Sequence, residues 1–146
     1  RATSKQVFVT YTSLNALNVN SGANLSNVGT INTDMLEVKS TSGGTAKLDI
    51  ASARLEAKAT SGGVLRMKGS TDRFEGNAST GGNLMADELI AQNVEAKATT
   101  GGNLKIHAAK TFKGDTSTGG NINYSGNPET ININDGDKTG GNISKG

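Results

Sequence analysis

The 146-residue sequence contains no cysteine, which excludes a disulfide framework, thiolate zinc sites and cysteine nucleophiles. Tryptophan is also absent and only 3% of residues are aromatic, so the flat apolar platforms that commonly hold sugar rings are scarce. Hydrophobic residues make up 33% of the chain; any core must be thin and built of small side chains. The longest apolar runs, such as Val7-Phe8-Val9 and Leu89-Ile90-Ala91, span three residues or so, far below the roughly 20 that cross a bilayer. No transmembrane segment is expected. One proline and a net charge of +2 do not match a disordered chain either. The 15 Lys and Arg are dispersed along the sequence, which gives no concentrated footprint for nucleic acid. Arg1 is not followed by a basic-then-apolar leader, so either a signal has been removed or the chain is part of a longer one.

What the sequence has in excess is glycine, with 20 residues, and their placement is periodic. Pairs occur at Gly43-Gly44, Gly62-Gly63, Gly81-Gly82, Gly101-Gly102, Gly119-Gly120 and Gly140-Gly141, at spacings of 19, 19, 20, 18 and 21. Each follows Ser or Thr, and a degenerate copy lies upstream at Ser21-Gly22-Ala23-Asn24-Leu25. Two residues past the second Gly stands an aliphatic at Leu65, Leu84, Leu104, Ile122 and Ile143, with Ala46 and then Leu48 in the coil that departs. Eight residues before the second Gly stand Leu36, Leu55, Phe74, Val94, Phe112 and Ile133. The runs Leu55-Glu56-Ala57-Lys58-Ala59 and Val94-Glu95-Ala96-Lys97-Ala98 alternate apolar and charged residues, the period of a half-buried strand.

A unit of about 20 residues cannot bury its own apolar face, but stacked copies align each apolar column into a continuous core. The expected fold is an all-β, single-stranded parallel β-helix, or β-solenoid, of about six to seven coils and roughly 20 residues per coil, a rod roughly 30 Å long at about 4.8 Å per coil. Residues 1–146 form a single domain in this reading, with irregular N-terminal coils or a cap over 1–34 and regular Gly-Gly repeats over 35–146. Corners fall at the Gly-Gly pairs and near Gly69, Gly114 and Gly126-Asn127-Pro128, and alternation over residues 6–11 predicts a further strand. The rival architecture is an antiparallel meander with Gly-Gly hairpins, disfavoured by the equal unit length and the unbroken apolar column.

The run Leu55 to Gly63, its later copies, and the ending Gly120-Asn121-Ile122-Asn123-Tyr124-Ser125-Gly126-Asn127-Pro128 resemble the head GIN domain of auto-transporter adhesins. The resemblance implies a right-handed parallel β-helix in a secreted or cell-envelope protein of gram-negative bacteria, with a role in adhesion. It transfers no catalytic residues. The longer last coil, with polar Asn132 to Asp137, departs from the other units.

Several groups carry potential chemistry. His107, the single histidine, alternates outward with no second His nearby and is read as a surface residue. Glu37, Glu56, Glu75 and Glu95 all lie seven residues before a second Gly, and Lys39, Lys58 and Lys97 two residues further on, with Asn77 in the remaining position. In-register stacking turns these into two parallel outward columns whose opposite charges compensate. Glu37, Lys39, Glu56, Lys58, Glu75, Glu95 and Lys97 are the candidate binding face. Asn83, Asn103, Asn121 and Asn142 form an expected amide ladder, and Asp135-Gly136-Asp137 is read as a turn. No cofactor and no metal are expected. The leading expectation is an extracytoplasmic, non-enzymatic, adhesin-like module for a cell-surface, matrix or glycan ligand, with a homo-oligomer possible. A structural spacer of a cell-envelope protein is the alternative, followed by a polysaccharide-active enzyme using the glutamate column.

Overall fold

The computed structural model describes residues 7–134 and 140–146, and among these there is no helix. Ten strands form one sheet in which every pair runs parallel: β1 (Ala16–Val19), β2 (Asn24–Ser26), β3 (Ile31–Ser40), β4 (Thr45–Ala59), β5 (Val64–Ala78), β6 (Asn83–Ala98), β7 (Asn103–Thr116), β8 (Asn121–Ser125), β9 (Thr130–Asn134) and β10 (Asn142–Lys145). Each strand pairs with its sequence equivalent in the next coil, as in Leu36 with Leu55 and Leu55 with Phe74. The result is a parallel β-solenoid of about 7 turns with ~19 residues per turn. The antiparallel meander is excluded.

The long strands bend midway. In β4 the buried positions are Ala46, Leu48 and Ile50, then Leu55, Ala57 and Ala59, so the inward parity switches across 51–54. Thr45 to Ile50 and its equivalents form a first face, and Arg54 to Ala59 and its equivalents a second. Their inner side chains meet: Phe112 of the second face stacks on Tyr124 of the first at a centroid distance of 4.4 Å. Ring volume is balanced by missing side chains nearby. A Cβ on Gly76 would lie 2.9 Å from Phe74 Cε1, and one on Gly114 2.7 Å from Phe112 Cζ, whereas beside Leu55 and Val94 the equivalent positions are Ala57 and Ala96. Gly114 is thus an interior position of β7 and not a corner; Gly69 and Gly126 do take positive φ, at 114° and 92°.

At the Gly-Gly edge each coil closes through a four-residue turn, with Gly82 N donating to Ser79 O at 2.8 Å. The turn needs two consecutive residues of positive φ, the combination of type I′. The first is a Ser or Thr, such as Ser61 at 50° and Thr80 at 49°, and the second is the leading glycine, Gly62 at 75° and Gly81 at 74°. This conformation is uncommon for non-glycine residues and more so for β-branched threonine. Stacking supports it, because the leading glycine donates to the next turn: Gly62 N to Thr80 O at 3.3 Å and Gly81 N to Thr100 O at 3.2 Å. The second glycine has another task. A Cβ on Gly63, Gly82, Gly102 or Gly120 would overlap the carbonyl oxygen of Ser40, Ala59, Ala78 or Ala98 in the preceding coil. Ala23 takes this place in the first turn, where no coil lies beneath it among the described residues.

The chain ends differ from the sequence expectations. Residues 7–11 form no strand, and Val7, Phe8 and Val9 are exposed, since no neighbouring strand accepts their pattern. Pairing in register begins at Ala16, opposite Glu37. In the last coil the partner of Phe112 is Ile131, while Ile133 lies opposite Gly114. Counting back from Gly141 misplaces the column by two because the coil is longer, and both isoleucines are exposed on an uncovered rung. The Asp135-Gly136-Asp137 turn lies outside the described residues. Coil-length variation among the middle coils is taken up within the first face, at a register shift between Arg66 and Lys68, and from the end of that face into the corner opposite the glycines, at shifts between Ala86 and Asn93.

Candidate functional site

The second face carries the charged columns. Glu37, Glu56, Glu75 and Glu95 are directly opposite one another in successive strands, and Lys113 continues their column. Lys39, Lys58, Asn77 and Lys97 form the next column, continued by Asp115. Glutamates stacked about 4.8 Å apart repel, and the structure relieves this in two ways. In the first two coils the partner is two residues on in the same strand: Lys39 Nζ lies 2.6 Å from Glu37 and Lys58 Nζ 3.1 Å from Glu56. On β7 the signs are exchanged, so partners come from the adjacent strand: Lys113 Nζ is 2.9 Å from Glu95, and Lys97 Nζ is 3.8 Å from Asp115.

Glu75 has Asn77, and no lysine, two residues on. Two arginines supply its charge partner, with Arg54 Nη2 at 2.9 Å and Arg73 Nε at 3.1 Å from the same Oε1. Arg54, Arg73 and Lys113 belong to this face and were missed in the sequence. The signal was present: Arg54 and Arg73 stand two residues before the glutamates, and Lys113 occupies the glutamate slot. Where Asn77 interrupts the lysine column, a depression of ≈ 200 Å³ opens, lined by Glu56, Lys58, Glu75, Asn77, Glu95 and Lys97 among others. Five of the seven candidate residues line it; Glu37 and Lys39 lie outside. The hydrogen bond and charge of Lys39 hold the Glu37 carboxyl below its ordinary value, against a smaller opposing effect of burial, and Lys58 adds to the lowering. The same pair raises the Lys39 ammonium.

On the first face, the amide ladder runs Asn121 Nδ2 to Asn103 Oδ1 at 3.2 Å and Asn103 Nδ2 to Asn83 Oδ1 at 3.3 Å. Beside it His107 is half-buried, its Nδ1 3.0 Å from Ser125 Oγ. Ser125 Oγ itself donates to Ile106 O at 3.1 Å. A hydroxyl has one proton, so when it is directed at Ile106 O the contact with His107 takes the Nδ1–H tautomer. The pair is one coil apart, a relation that the 18-residue spacing between Gly102 and Gly120 encodes. Among the described residues no three His, Asp or Glu side chains gather into a metal-binding group, and no helix is long and apolar enough to cross a membrane.

Comparison with known proteins bears directly on this architecture. The family model described as "putative auto-transporter adhesin, head GIN domain" matches residues 1–128. The chain belongs to this family. A crystal structure of a putative adhesin from Bacteroides fragilis is similar to this GIN domain with a TM-score of 0.82 at 21% sequence identity. The alignment covers 90% of this chain and 60% of the other, so the GIN domain described here spans about three fifths of that protein's length. No match is found among curated proteins.

Proposed function

We propose that this GIN domain is a non-catalytic, extracytoplasmic recognition module of the adhesin type, and that the second face, through Glu37, Lys39, Glu56, Lys58, Glu75, Glu95 and Lys97, is its binding surface. The observation that carries the reading is the lattice itself. Outward side chains are held at one strand spacing by a rigid parallel ladder, and their charges are already paired, so a partner meets a fixed polar pattern without ordering it. The depression at Asn77 interrupts that pattern and gives it a local feature to read. Membership of a family called adhesin, and a fold neighbour called adhesin, support a cell-surface, matrix or glycan partner.

The test is a binding screen of the purified domain against glycans and extracellular-matrix proteins, beside a variant carrying Glu56→Gln and Lys58→Gln. A saturable signal that the variant weakens supports recognition through this face. A signal indifferent to the variant places recognition elsewhere, and silence with both proteins favours a structural spacer. Turnover of a polysaccharide that Glu56→Gln and Glu75→Gln abolish would replace the adhesin reading by an enzymatic one.

A further inference from the structure

The first face holds a different charge arrangement. Lys47, Arg66, Met85 and Lys105 are successive partners across β4, β5, β6 and β7, forming one outward column. Lys47 and Arg66 are directly opposed, a placement that destabilises a sheet unless a counter-charge relieves it. No relief is present: none of Lys47, Arg66 and Lys105 takes part in an ion pair among the described residues, whereas Lys39, Arg54, Lys58, Arg73, Lys97 and Lys113 on the second face all do. Nearby Asp49 is engaged with Lys68 at 3.7 Å.

The register shift after Arg66 opens a depression of ≈ 340 Å³ beside this column, lined by the three free cations, Lys68, Met85, Asp87 and Glu88 among others. Four cations and two carboxylates around a thioether make a set with mixed demands. The cations select an anionic group, with Arg66 able to hold a carboxylate or sulfate in bidentate fashion. Asp87 and Glu88 accept hydrogen bonds from hydroxyl groups and repel a polymer charged at every step. Met85 offers a soft apolar contact for a ring face. Arg66 and Lys105 are two strand spacings apart, about 9.6 Å, a span of the size of a disaccharide unit in an extended chain. The neighbouring Asn83, Asn103 and Asn121 ladder adds further amide groups that match hydroxyls.

We propose that this strip, Lys47, Arg66 and Lys105 around Met85, binds linear acidic glycans in which carboxylate or sulfate groups alternate with hydroxyl-rich sugar surface. The proposal is independent of the second face. Its test measures binding of the purified domain to hyaluronan oligosaccharides, which carry a carboxylate on every second sugar, to keratan sulfate, which carries sulfate and no carboxylate, to neutral dextran and to a DNA duplex. Variants are Lys47→Gln, Arg66→Gln, Lys105→Gln, the triple combination, and Lys58→Gln on the opposite face. The expected result is binding to at least one acidic glycan, weakened about tenfold by each of Arg66→Gln and Lys105→Gln and further by the triple variant, and unaffected by Lys58→Gln. Preference between hyaluronan and keratan sulfate identifies carboxylate or sulfate as the anion. Removing unrelieved like charges leaves the urea midpoint unchanged or higher, which separates lost binding from lost folding. No binding to either acidic glycan, equal binding by the triple variant, or equally tight binding to dextran or to the duplex would overturn the proposal.

Discussion

Substituting the second glycine of a turn separates steric from conformational reasons for Gly-Gly. Gly82→Ala adds one methyl group where the Ala59 carbonyl of the preceding coil already occupies the space, at a residue whose φ is not positive. The obstruction is backbone and cannot rotate away. Relieving it pushes the two coils apart at their edge, where Asn83 N donates to Gly63 O at 2.9 Å and Ser79 N to Ala59 O at 3.0 Å. Weakening both bonds at about 1 kcal/mol each, with about 1–3 kcal/mol for overpacking, gives an expected cost of about 3–5 kcal/mol. Gly81→Ala is the control: its Cβ would meet nothing within 4 Å, but φ is 74°, so only the left-handed conformation is penalised, by about 1–2 kcal/mol. Urea unfolding followed by far-ultraviolet circular dichroism, with the slopes compared to check cooperativity, measures both variants. A third variant, Ala23→Gly, is expected to change stability by less than about 1 kcal/mol. If Gly82→Ala costs no more than Gly81→Ala, close coil approach is not why the second glycine is there.

Further outcomes follow from individual contacts. The Thr116 hydroxyl is buried without a hydrogen-bond partner among the described residues, so Thr116→Val should raise unfolding free energy by about 1 kcal/mol, measured by urea denaturation. Gly76→Ala should cost about 1–3 kcal/mol against the Phe74 ring, and adding Phe74→Leu should recover much of it, because Leu55 and Ala57 already coexist one coil away; an additive double mutant would contradict the volume balance. The Glu37 carboxyl should titrate by NMR below 4.5 and move upward in Lys39→Gln, since the lysine's hydrogen bond is the largest cause of its lowering. A depressed carboxylate stabilises the fold above its unfolded value and loses that contribution as pH falls through the folded one, so the effect of Lys39→Gln on stability should fade in acid.

Most of the fold was legible because a solenoid writes its geometry as a period. The Gly-Gly spacing fixed which residues are neighbours, and with that the glutamate and lysine columns and the asparagine ladder came into register. The spacing failed where a coil changes length: counting from Gly141 selected Ile133 where the structure uses Ile131. Gly114 was misread because a glycine that leaves room for a ring looks, in one dimension, like a glycine that makes a turn. Its partner Phe112 two residues earlier, repeated as Phe74 and Gly76, held the distinction. The alternation of residues 7–11 lacked a strand to pair with, which no local pattern can supply. Handedness came with the family resemblance and not with the residues. On the charged face, Arg54 and Arg73 are harder to read from the sequence, because Glu75 is served by two cations from different coils. The unrelieved column of Lys47, Arg66 and Lys105 escaped for a related reason, since Met85 breaks it in sequence without breaking it in space.

The two edges of the solenoid obey different rules for change. At the glycine edge the leading glycines from Gly22 to Gly101 each hydrogen-bond to the next turn, so adding or deleting a residue there would throw later coils out of step. At the opposite edge the shifts around Ala86 to Asn93 take up an extra residue in one coil and a shorter path in the next, and Glu95 still lands beside its column. That corner works as a slack joint. A segment spliced between Asp87 and Leu89 would be carried outward on a scaffold whose faces keep their order, which makes this edge the natural place for members of such a fold to diversify what they display.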